Sequence, residues 1–473
     1  MGNSSRVPKK LDGRDLLANE RDIITDSFES EQISKFFAER GESQEGNDNF
    51  QKLTKLLVSP IGSSLRSLLF PPTRSNLSRV LNIAGTLIRG SAVDRSSLLS
   101  EWIFLYSQYK HDVENILHCF VSDFIHTLFT WSRSAEHLLH IITPLGETAD
   151  SYSLIRVWLF TREDGQSVTN YFLETAGIID NMTPVSKDTY TEIMKTILES
   201  NPVFDRMLSI FSILFFLSSL PSSELLQILG QTQEHSHPLY DVTTPLLPSV
   251  MPKQTPFQSM IGPACMSVLT QYVPSLLRGP ARQLFCSRRD GESFAKLTEC
   301  VLKKGPTMLI VRDTDGFLFG GFASQSWELN PNFRGDGECF LFTVLPKLEI
   351  FNKPTFYNNH FMYYQVHAET LPNGLGMGGQ LDYFGLWLSA DFGKGHSRAK
   401  PKCTTYASKQ LSKNEDFTVH SLEVWGFGQG MGVKNIHMKS ALDKDPEAMA
   451  LLELAGKTMH SEGIREPESD EEK

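Results

Sequence analysis

The spacing of the apolar residues changes about halfway along the chain. From Phe50 onward these residues recur every three or four positions, as in Leu77, Leu81, Ala84 and Ile88, and this is the period of an amphipathic helix. In the second half, short apolar runs are separated by turn residues, which is typical of antiparallel strands. The sequence therefore predicts an α+β protein, with a mostly helical amino-terminal module followed by a domain rich in β-strands.

A connector rich in proline separates the two patterns. Its prolines are Pro238, Pro245, Pro248, Pro252, Pro256 and Pro263. Because proline has no backbone N–H and fixes its own φ angle, this density interrupts regular hydrogen bonding, and we place a domain boundary near residue 243. Four segments are predicted: a polar amino-terminal segment at residues 1–49, the helical module at 50–242, the β-rich domain at 243–428, and a helix with an acidic tail at 429–473.

The β-rich domain contains signals for a helix and for several strands. Ser293 is placed to cap a helix that carries Phe294, Leu297 and Val301, and Gly305 is placed to end it. The predicted strands are residues 308–311 and 317–322, which form a hairpin, and residues 339–345, 361–364, 384–388 and 417–425. Many antiparallel strands with few helices predict a β-sandwich.

Composition and charge exclude several classes of protein. The formal net charge of -10 and the pI near 5.8 argue against a general nucleic-acid binder, because phosphate binding needs an excess of Lys and Arg. The six cysteines include no C-x-x-C pair and none of the spacings of a zinc site, so we expect reduced thiols in a protein that faces the cytosol. The apolar run at residues 207–220 is shorter than the roughly 20 residues that span a bilayer, and we predict a buried helix there.

A series of motifs in the second half resembles the TLDc domain family. In chain order the motifs are Gly320-Gly321-Phe322-Ala323-Ser324, Cys339-Phe340-Leu341-Phe342, Gly374-Leu375-Gly376-Met377-Gly378-Gly379, Tyr383-Phe384-Gly385-Leu386-Trp387-Leu388, Asp391-Phe392-Gly393-Lys394-Gly395-His396-Ser397 and Glu423-Val424-Trp425. The resemblance implies a sandwich of two antiparallel sheets with short helices at residues 243–428. The family has no agreed catalytic residues, so the resemblance implies neither a catalytic site nor a cofactor.

The resemblance also implies a class of function. Members of the family are linked to the vacuolar proton pump and to protection from oxidants, and similarity that continues past the domain implies a lysosomal member that acts in mTOR signalling. We therefore expect a non-catalytic regulator, cytoplasmic and peripheral on the lysosomal membrane, that binds subunits of the vacuolar proton pump or components of the mTOR complex. The alternative is an oxidation-resistance protein or a thiol-dependent enzyme, which requires an exposed cysteine with a lowered pKa.

Two loops resemble ligand sites but lack the residues that those sites need. The glycines between Gly374 and Gly379 are not followed by the Gly-Lys-Ser of a phosphate loop, so they are expected to serve tight turns or close packing. Asp164 and Gly165 match two positions of a calcium loop, but Arg162 stands where a calcium ligand is required. We predict neither a nucleotide nor a metal ion, and the helical module is interpreted as compatible with a degenerate EF-hand.

Three surface features are candidates for contacts. Lys394 and Arg398 belong to a basic loop, which is either a solvated face or a contact for an acidic partner. Gly2 is the residue that N-myristoylation requires, although Arg6 replaces the usual Ser or Thr. A single acyl chain binds membranes weakly, so neighbouring basic residues would add attraction to anionic lipid; the alternative is a disordered basic tail.

The third feature is a short helix near the carboxyl end. Asp445 is placed to cap it, and one face carries Ala448, Leu451, Leu452 and Ala455 at helical spacing. A helix of this length is marginal alone in water, so its apolar face requires a surface. That surface is either the chain's own domain or a separate protein.

Overall fold

The structure is a computed structural model. It describes residues 59–69, 77–110, 115–134, 159–178, 186–217, 247, 258–278, 281–398 and 400–428. The candidate lipidation residue Gly2, the boundary near residue 243 and the four apolar residues of the short helix, Ala448, Leu451, Leu452 and Ala455, lie outside the described residues. The segment boundaries and these contacts therefore stay predictions.

The amino-terminal half is helical, as the apolar spacing predicts. Its described helices are α1 (Pro60–Leu69), α2 (Leu77–Arg89), α3 (Ala92–Ser107), α4 (Ile116–Ser134), α5 (Arg162–Thr175), α6 (Lys187–Ser200) and α7 (Pro202–Leu217). Ser91, Thr161 and Ser186 cap three of them by accepting a backbone N–H from the first helical turn. Residues 207–217 of the apolar run lie in α7, where Met207 and Phe211 are fully buried. No described helix has the length and apolar character needed to cross a membrane.

The carboxyl-terminal half is built on an antiparallel sheet. Its strands are β1 (Arg282–Cys286), β2 (Thr307–Asp313), β3 (Leu318–Ala323), β4 (Asn330–Arg334), β5 (Phe340–Leu345), β6 (Glu349–Phe351), β7 (Met362–Gln365), β8 (Gly374–Gln380), β9 (Tyr383–Ser389), β10 (Lys394–His396) and β11 (Asp416–Gly426). Its helices are α8 (Pro263–Tyr272), α9 (Ser287–Asp290) and α10 (Phe294–Val301). Ser293 caps α10 as predicted, although the helix ends at Val301, before Gly305.

One long strand joins the two layers of the sheet. The strand order is β4-β7-β8-β9-β10-β11-β2-β3-β5-β6, and β1 also pairs with β11. The first residues of β11 pair with β10, while residues from Val419 onward pair with β2. The sheet thus curls on itself, and Leu309 and Phe319 of one layer share a core with Met377 and Leu386 of the other. This architecture confirms the predicted α+β fold with a two-layer antiparallel domain.

The glycine-rich motif is a strand rather than a run of turns. A Cβ atom at Gly376 would lie 2.6 Å from Phe384 and 2.9 Å from Trp387, because the aromatic rings of β9 pack directly over the backbone of β8. Gly378 and Gly379 have φ angles of 73° and 83°, which L side chains rarely adopt. Close packing and unusual backbone conformation both require glycine here, as expected, but within a strand that the sequence analysis did not predict.

The helical module packs against the outer face of the β2-β3-β5 layer. Met308 and Ile310 of β2 point away from the inside of the sandwich and share a core with the helices. Tyr272 of α8 makes an edge contact with Phe340 of β5, with 6.3 Å between the ring centroids. Glu174 of α5 forms an ion pair with Lys347, which follows β5, at 2.6 Å. The helices and the sheet therefore share one continuous core.

Candidate functional site

The predicted basic loop is internally paired. Lys394 Nζ lies 3.4 Å from Asp391 Oδ2, and Arg398 Nη2 lies 2.9 Å from Asp416 Oδ1. Lys400 forms an ion pair with Glu415. Exposed ion pairs of this kind contribute little stability, but they neutralise the local positive charge. The structure thus gives Lys394 and Arg398 separate acidic neighbours, which reduce the attraction of each for an acidic partner.

The described thiols do not have the environment that thiol chemistry needs. Burial raises the pKa of the Cys119, Cys265, Cys300 and Cys339 thiols, which disfavours the reactive thiolate. Cys265, Cys286, Cys339 and Cys403 are buried, and Cys119 and Cys300 are partly buried. Within the described ranges, no group of three His, Cys, Asp or Glu side chains is arranged to hold a metal ion.

Two histidines of the β domain, His360 and His396, are packed against aromatic rings. The His360 ring stacks on Phe333 with 4.1 Å between centroids, and its Nδ1 lies 2.7 Å from the Gly379 carbonyl oxygen. His396 packs beside Phe384 and Trp387, and its burial lowers its pKa to about 4. Both side chains are therefore packed parts of the β domain, and the structure does not bring them together in one site.

The most exposed large apolar side chains among the described residues lie in one loop. Phe356 and Tyr357 are both 86% exposed, and they follow β6 in a segment that we call the aromatic loop, residues 352–360. Aromatic side chains that project into solvent are typical of the residues that dominate binding energy in protein interfaces. Sequence analysis missed this feature, although the pair stands in a turn-rich segment between Pro354 and Asn358.

Hydrogen bonds hold the aromatic loop in a fixed conformation. The Thr355 N–H donates to the Thr405 carbonyl oxygen at 2.9 Å, and the Thr405 hydroxyl donates to Asn358 Oδ1 at 2.7 Å. Asn358 Nδ2 donates to the Thr404 hydroxyl at 3.1 Å. Phe356 has a φ angle of 61°, and a non-glycine residue in this left-handed region costs roughly 1–2 kcal/mol. The rest of the loop stabilises this strained conformation, so both aromatic rings are presented before any partner arrives.

Two exposed lysines lie in and beside the aromatic loop. Lys353 lies in the loop, and Lys402 lies in the segment that holds it; both are exposed, and neither forms an ion pair within the described part of the chain. No Asp or Glu occurs at residues 352–364 or 392–414. The aromatic loop therefore presents two exposed aromatic rings and two lysines on a backbone that is held by hydrogen bonds.

The segment that resembles a calcium loop has a structural role. Thr161 caps α5, and the carboxylate of Asp164 points to the start of α8, where it accepts the backbone N–H groups of Ala264 at 2.9 Å and Cys265 at 3.0 Å. A Cβ atom at Gly262 would overlap this carboxylate, so only glycine fits there. Asp164 thus caps a helix of the β domain from within the helical module.

Comparison with known proteins identifies one domain and a group of relatives. Residues 258–428 match the TLDc domain. The chain is 54% identical over 205 residues to the MTOR-associated protein MEAK7 of Gallus gallus, which covers 43% of this chain and 44% of the relative. It is 46% identical over 219 residues to MTOR-associated protein MEAK7 of Homo sapiens, covering 46% and 47%. It is 32% identical over 161 residues to Oxidation resistance protein 1 of Bos taurus, covering 34% and 17%. The matches thus span about half the length of the MEAK7 relatives.

Proposed function

We propose that this chain, which carries a TLDc domain at residues 258–428, is a non-catalytic regulator that acts in mTOR signalling by binding partners. The observation that carries this proposal is the similarity to MEAK7 proteins, which are named as mTOR-associated, at 46–54% identity. The similarity to Oxidation resistance protein 1 favours the alternative function in oxidant defence. Four buried thiols, and the raised pKa of the partly buried Cys119 and Cys300 thiols, argue against a mechanism based on cysteine.

We further propose that the protein acts at the lysosomal membrane. Gly2 and the basic residues after it would supply the attachment, and the TLDc domain would bind subunits of the vacuolar proton pump or components of the mTOR complex. Binding would favour one state of the partner assembly, by no more than the difference in affinity between its states. The resemblance to TLDc proteins supports this part of the proposal.

The aromatic loop is the surface that best fits such a partner. Phe356 and Tyr357 offer a large contact area, and the loop backbone that carries them is held by hydrogen bonds, so little backbone entropy is lost on binding. Lys353 and Lys402 would favour a partner whose surface is acidic around an apolar centre.

Replacing both aromatic residues, as Phe356→Gly with Tyr357→Ala, is expected to weaken partner binding. Losing both aromatic side chains from an interface is expected to reduce the binding free energy by about 2 kcal/mol or more. This corresponds to a roughly thirtyfold lower affinity. The measurement is affinity recovery from lysosomal membranes with mass spectrometry, followed by titration of the recovered partner. The same experiment on the unchanged chain detects acylation of Gly2.

Stability separates this effect from unfolding. Glycine adopts a φ angle of 61° without strain, so the Phe356→Gly chain is expected to be at least as stable as the original. Leu276→Ala, which removes an exposed apolar side chain from the short turn after α8, is the matched control and should leave recovery unchanged. Full recovery with the double variant would show that the partner does not use this loop.

Deletion of residues 445–460 is expected to reduce recovery of the same partner. The apolar face of the predicted helix, which includes Leu451 and Leu452, would otherwise cover a groove on the partner. Deletion of the acidic residues 466–473 is the control and should have little effect. Equal recovery with and without residues 445–460 would favour docking of the helix on its own domain.

A further inference from the structure

A cavity of about 320 Å³ lies where the helical module meets the β domain. Its wall is formed by the start of α5, by the segment that leads into α8, and by β2, β3, β5 and β11. This volume is at the lower end of the range for small-molecule sites. The cavity is separate from the aromatic loop and from the basic loop, and residues of both modules contribute to it.

Arg312 lines this cavity and has no ion-pair partner among the described residues. It lies on β2 and is half-buried, and its Nε atom is shielded from solvent and makes no hydrogen bond. Within the described part of the chain, its guanidinium forms no ion pair. Shielding part of an unpaired charge from water is unfavourable, and an arginine in such a position normally has an anion or a hydrogen-bond acceptor beside it. Arg312 Nε therefore lacks an acceptor among the residues that the structure describes.

A β-bulge directs two further polar side chains into the same cavity. The pairing of β11 with β2 shifts between Val419 and Ser421, and Ser421 stands directly opposite Arg312. In a regular strand His420 and Ser421 would point to opposite faces, but both line this cavity. His420 Nδ1 lies 2.9 Å from Ser421 Oγ. An imidazole, a hydroxyl and a guanidinium thus converge on one space.

The other charged groups of the cavity wall, Arg288, Asp164 and Glu163, are either hydrogen-bonded or exposed to solvent. Arg288 lines the cavity and donates to the buried carboxylate of Glu423 at 3.0 Å, which neutralises part of its charge. The carboxylate of Asp164 is used by the N–H groups of α8. Glu163 is exposed on the helical side of the wall. Arg312, His420 and Ser421 belong to β2 and β11 and line the sheet side of the cavity.

We propose that this cavity binds a small anion that carries a phosphate group. A planar guanidinium can donate two hydrogen bonds to phosphate oxygens, and the imidazole and the hydroxyl supply further hydrogen-bonding groups. Because both modules form the wall, the bound anion would stabilise their contact. This site does not depend on the identity of the macromolecular partner, and its test requires only the purified chain.

The test measures thermal unfolding and calorimetric binding of the full chain. The probes are inorganic phosphate, glycerol 3-phosphate and citrate, each compared with chloride at equal ionic strength. We expect inorganic phosphate or glycerol 3-phosphate to raise the Tm saturably. A higher Tm with both compounds indicates a site for the phosphate group itself. A higher Tm with glycerol 3-phosphate alone indicates a site for a phosphorylated metabolite. No rise, or a rise with citrate alone, would overturn the proposal.

The variant Arg312→Gln is expected to weaken phosphate binding about tenfold or more, because a charged hydrogen-bond donor is lost. Without added anion its Tm should not be lower than that of the original chain, since Arg312 has no partner to lose among the described residues. His420→Gln, at an exposed position, provides a second variant with weaker binding and an unchanged fold. Arg334→Gln, which removes an arginine from β4 outside the cavity, is the control. If Arg312→Gln and His420→Gln both show the full rise in Tm with phosphate, the anion binds elsewhere and the proposal is contradicted.

Discussion

Gly320→Ala is expected to destabilise the β domain by about 3 kcal/mol or more, because the added methyl group has no space. A Cβ atom at this position would overlap the Leu309 carbonyl oxygen and would lie 2.7 Å from Phe342 Cζ. Leu309 lies in the centre of β2, which pairs with both β3 and β11, so its backbone cannot move aside. Urea unfolding of the full chain, followed by tryptophan fluorescence and circular dichroism, measures the loss.

Two other glycines provide matched controls. At Gly321 the added methyl group would lie 2.5 Å from Met377 Sδ and 2.9 Å from Leu341 Cδ2, which are the ends of flexible side chains. Gly321→Ala should therefore cost less, about 1 kcal/mol. At Gly337 the nearest atom is 3.7 Å away, and alanine should have almost no effect. Equal losses for Gly320→Ala and Gly321→Ala would mean that the rigid backbone contact is not the cause.

The motif Gly320-Gly321 illustrates what sequence can and cannot predict. The two glycines belong to the motifs that resemble the TLDc family, and the apolar runs around them correctly predicted the β2-β3 hairpin. The contact that excludes a larger side chain differs between the two glycines, however. Each contact involves residues distant in sequence, such as Met377 on β8 for Gly321. The local sequence pattern thus predicted the strands. The tertiary contacts that make glycine necessary are visible only in the structure.

The strand β8 was missed for a related reason. Four of its seven residues are glycine, so few side chains are present to show the alternation by which strands are predicted. Its conformation depends on pairing with β7 and β9 and on the rings of Phe384 and Trp387 that cover it. Glycine has a low intrinsic preference for strands, so here the packing overrides the local propensity.

The position of the helical module could have been inferred in part. Residues 308–311 are continuously apolar, and such a run is typical of a strand covered on both faces. Leu309 faces the inside of the sandwich, whereas Ile310 faces the helices. The sequence could not show which helices cover the outer face, because that contact joins segments separated by the proline-rich connector.

The candidate site was predicted least well. Lys394 and Arg398 were recognised as basic, but Arg398 pairs with Asp416, which the strand pairing of β10 with β11 brings alongside. Phe356 and Tyr357 look like core residues in the sequence, and only the hydrogen bonds to Thr404 and Thr405 fix them in an exposed loop. Exposure and ion pairing both depend on the folded neighbourhood, so neither is visible in a local pattern.

The junction between the helices and the β domain is expected to depend on pH through Asp164. Burial is the largest influence on this carboxyl group and raises its pKa from 3.8 to about 6, although the hydrogen bonds from Cys265 and Ala264 oppose the change. Because the folded-state pKa is higher than the unfolded-state value, this group stabilises the fold fully below pH 4, and the contribution is lost as the pH rises through 6. Over this pH range, the contribution of Asp164 to the free energy of unfolding falls by about 3 kcal/mol in total.

The variant Asp164→Asn isolates this contribution. Asparagine cannot ionise, and its carbonyl oxygen still accepts one of the N–H groups at the start of α8. Between pH 7.5 and pH 5, the free energy of unfolding of the original chain should rise by about 1.5 kcal/mol relative to that of the variant. Urea titrations of both chains at pH 5, 6 and 7.5 measure this difference, and other titrating groups cancel when the two chains are compared.

Asp164→Ala tests the contacts rather than the charge. It leaves the N–H groups of Ala264 and Cys265 buried without an acceptor, which should cost about 2–3 kcal/mol. Both groups lie in the first turn of α8, which packs against α5, so the loss would weaken the contact between the two modules. A pH-independent difference for Asp164→Asn, together with a loss below 1 kcal/mol for Asp164→Ala, would mean that this carboxylate is hydrated in solution and does not hold the junction.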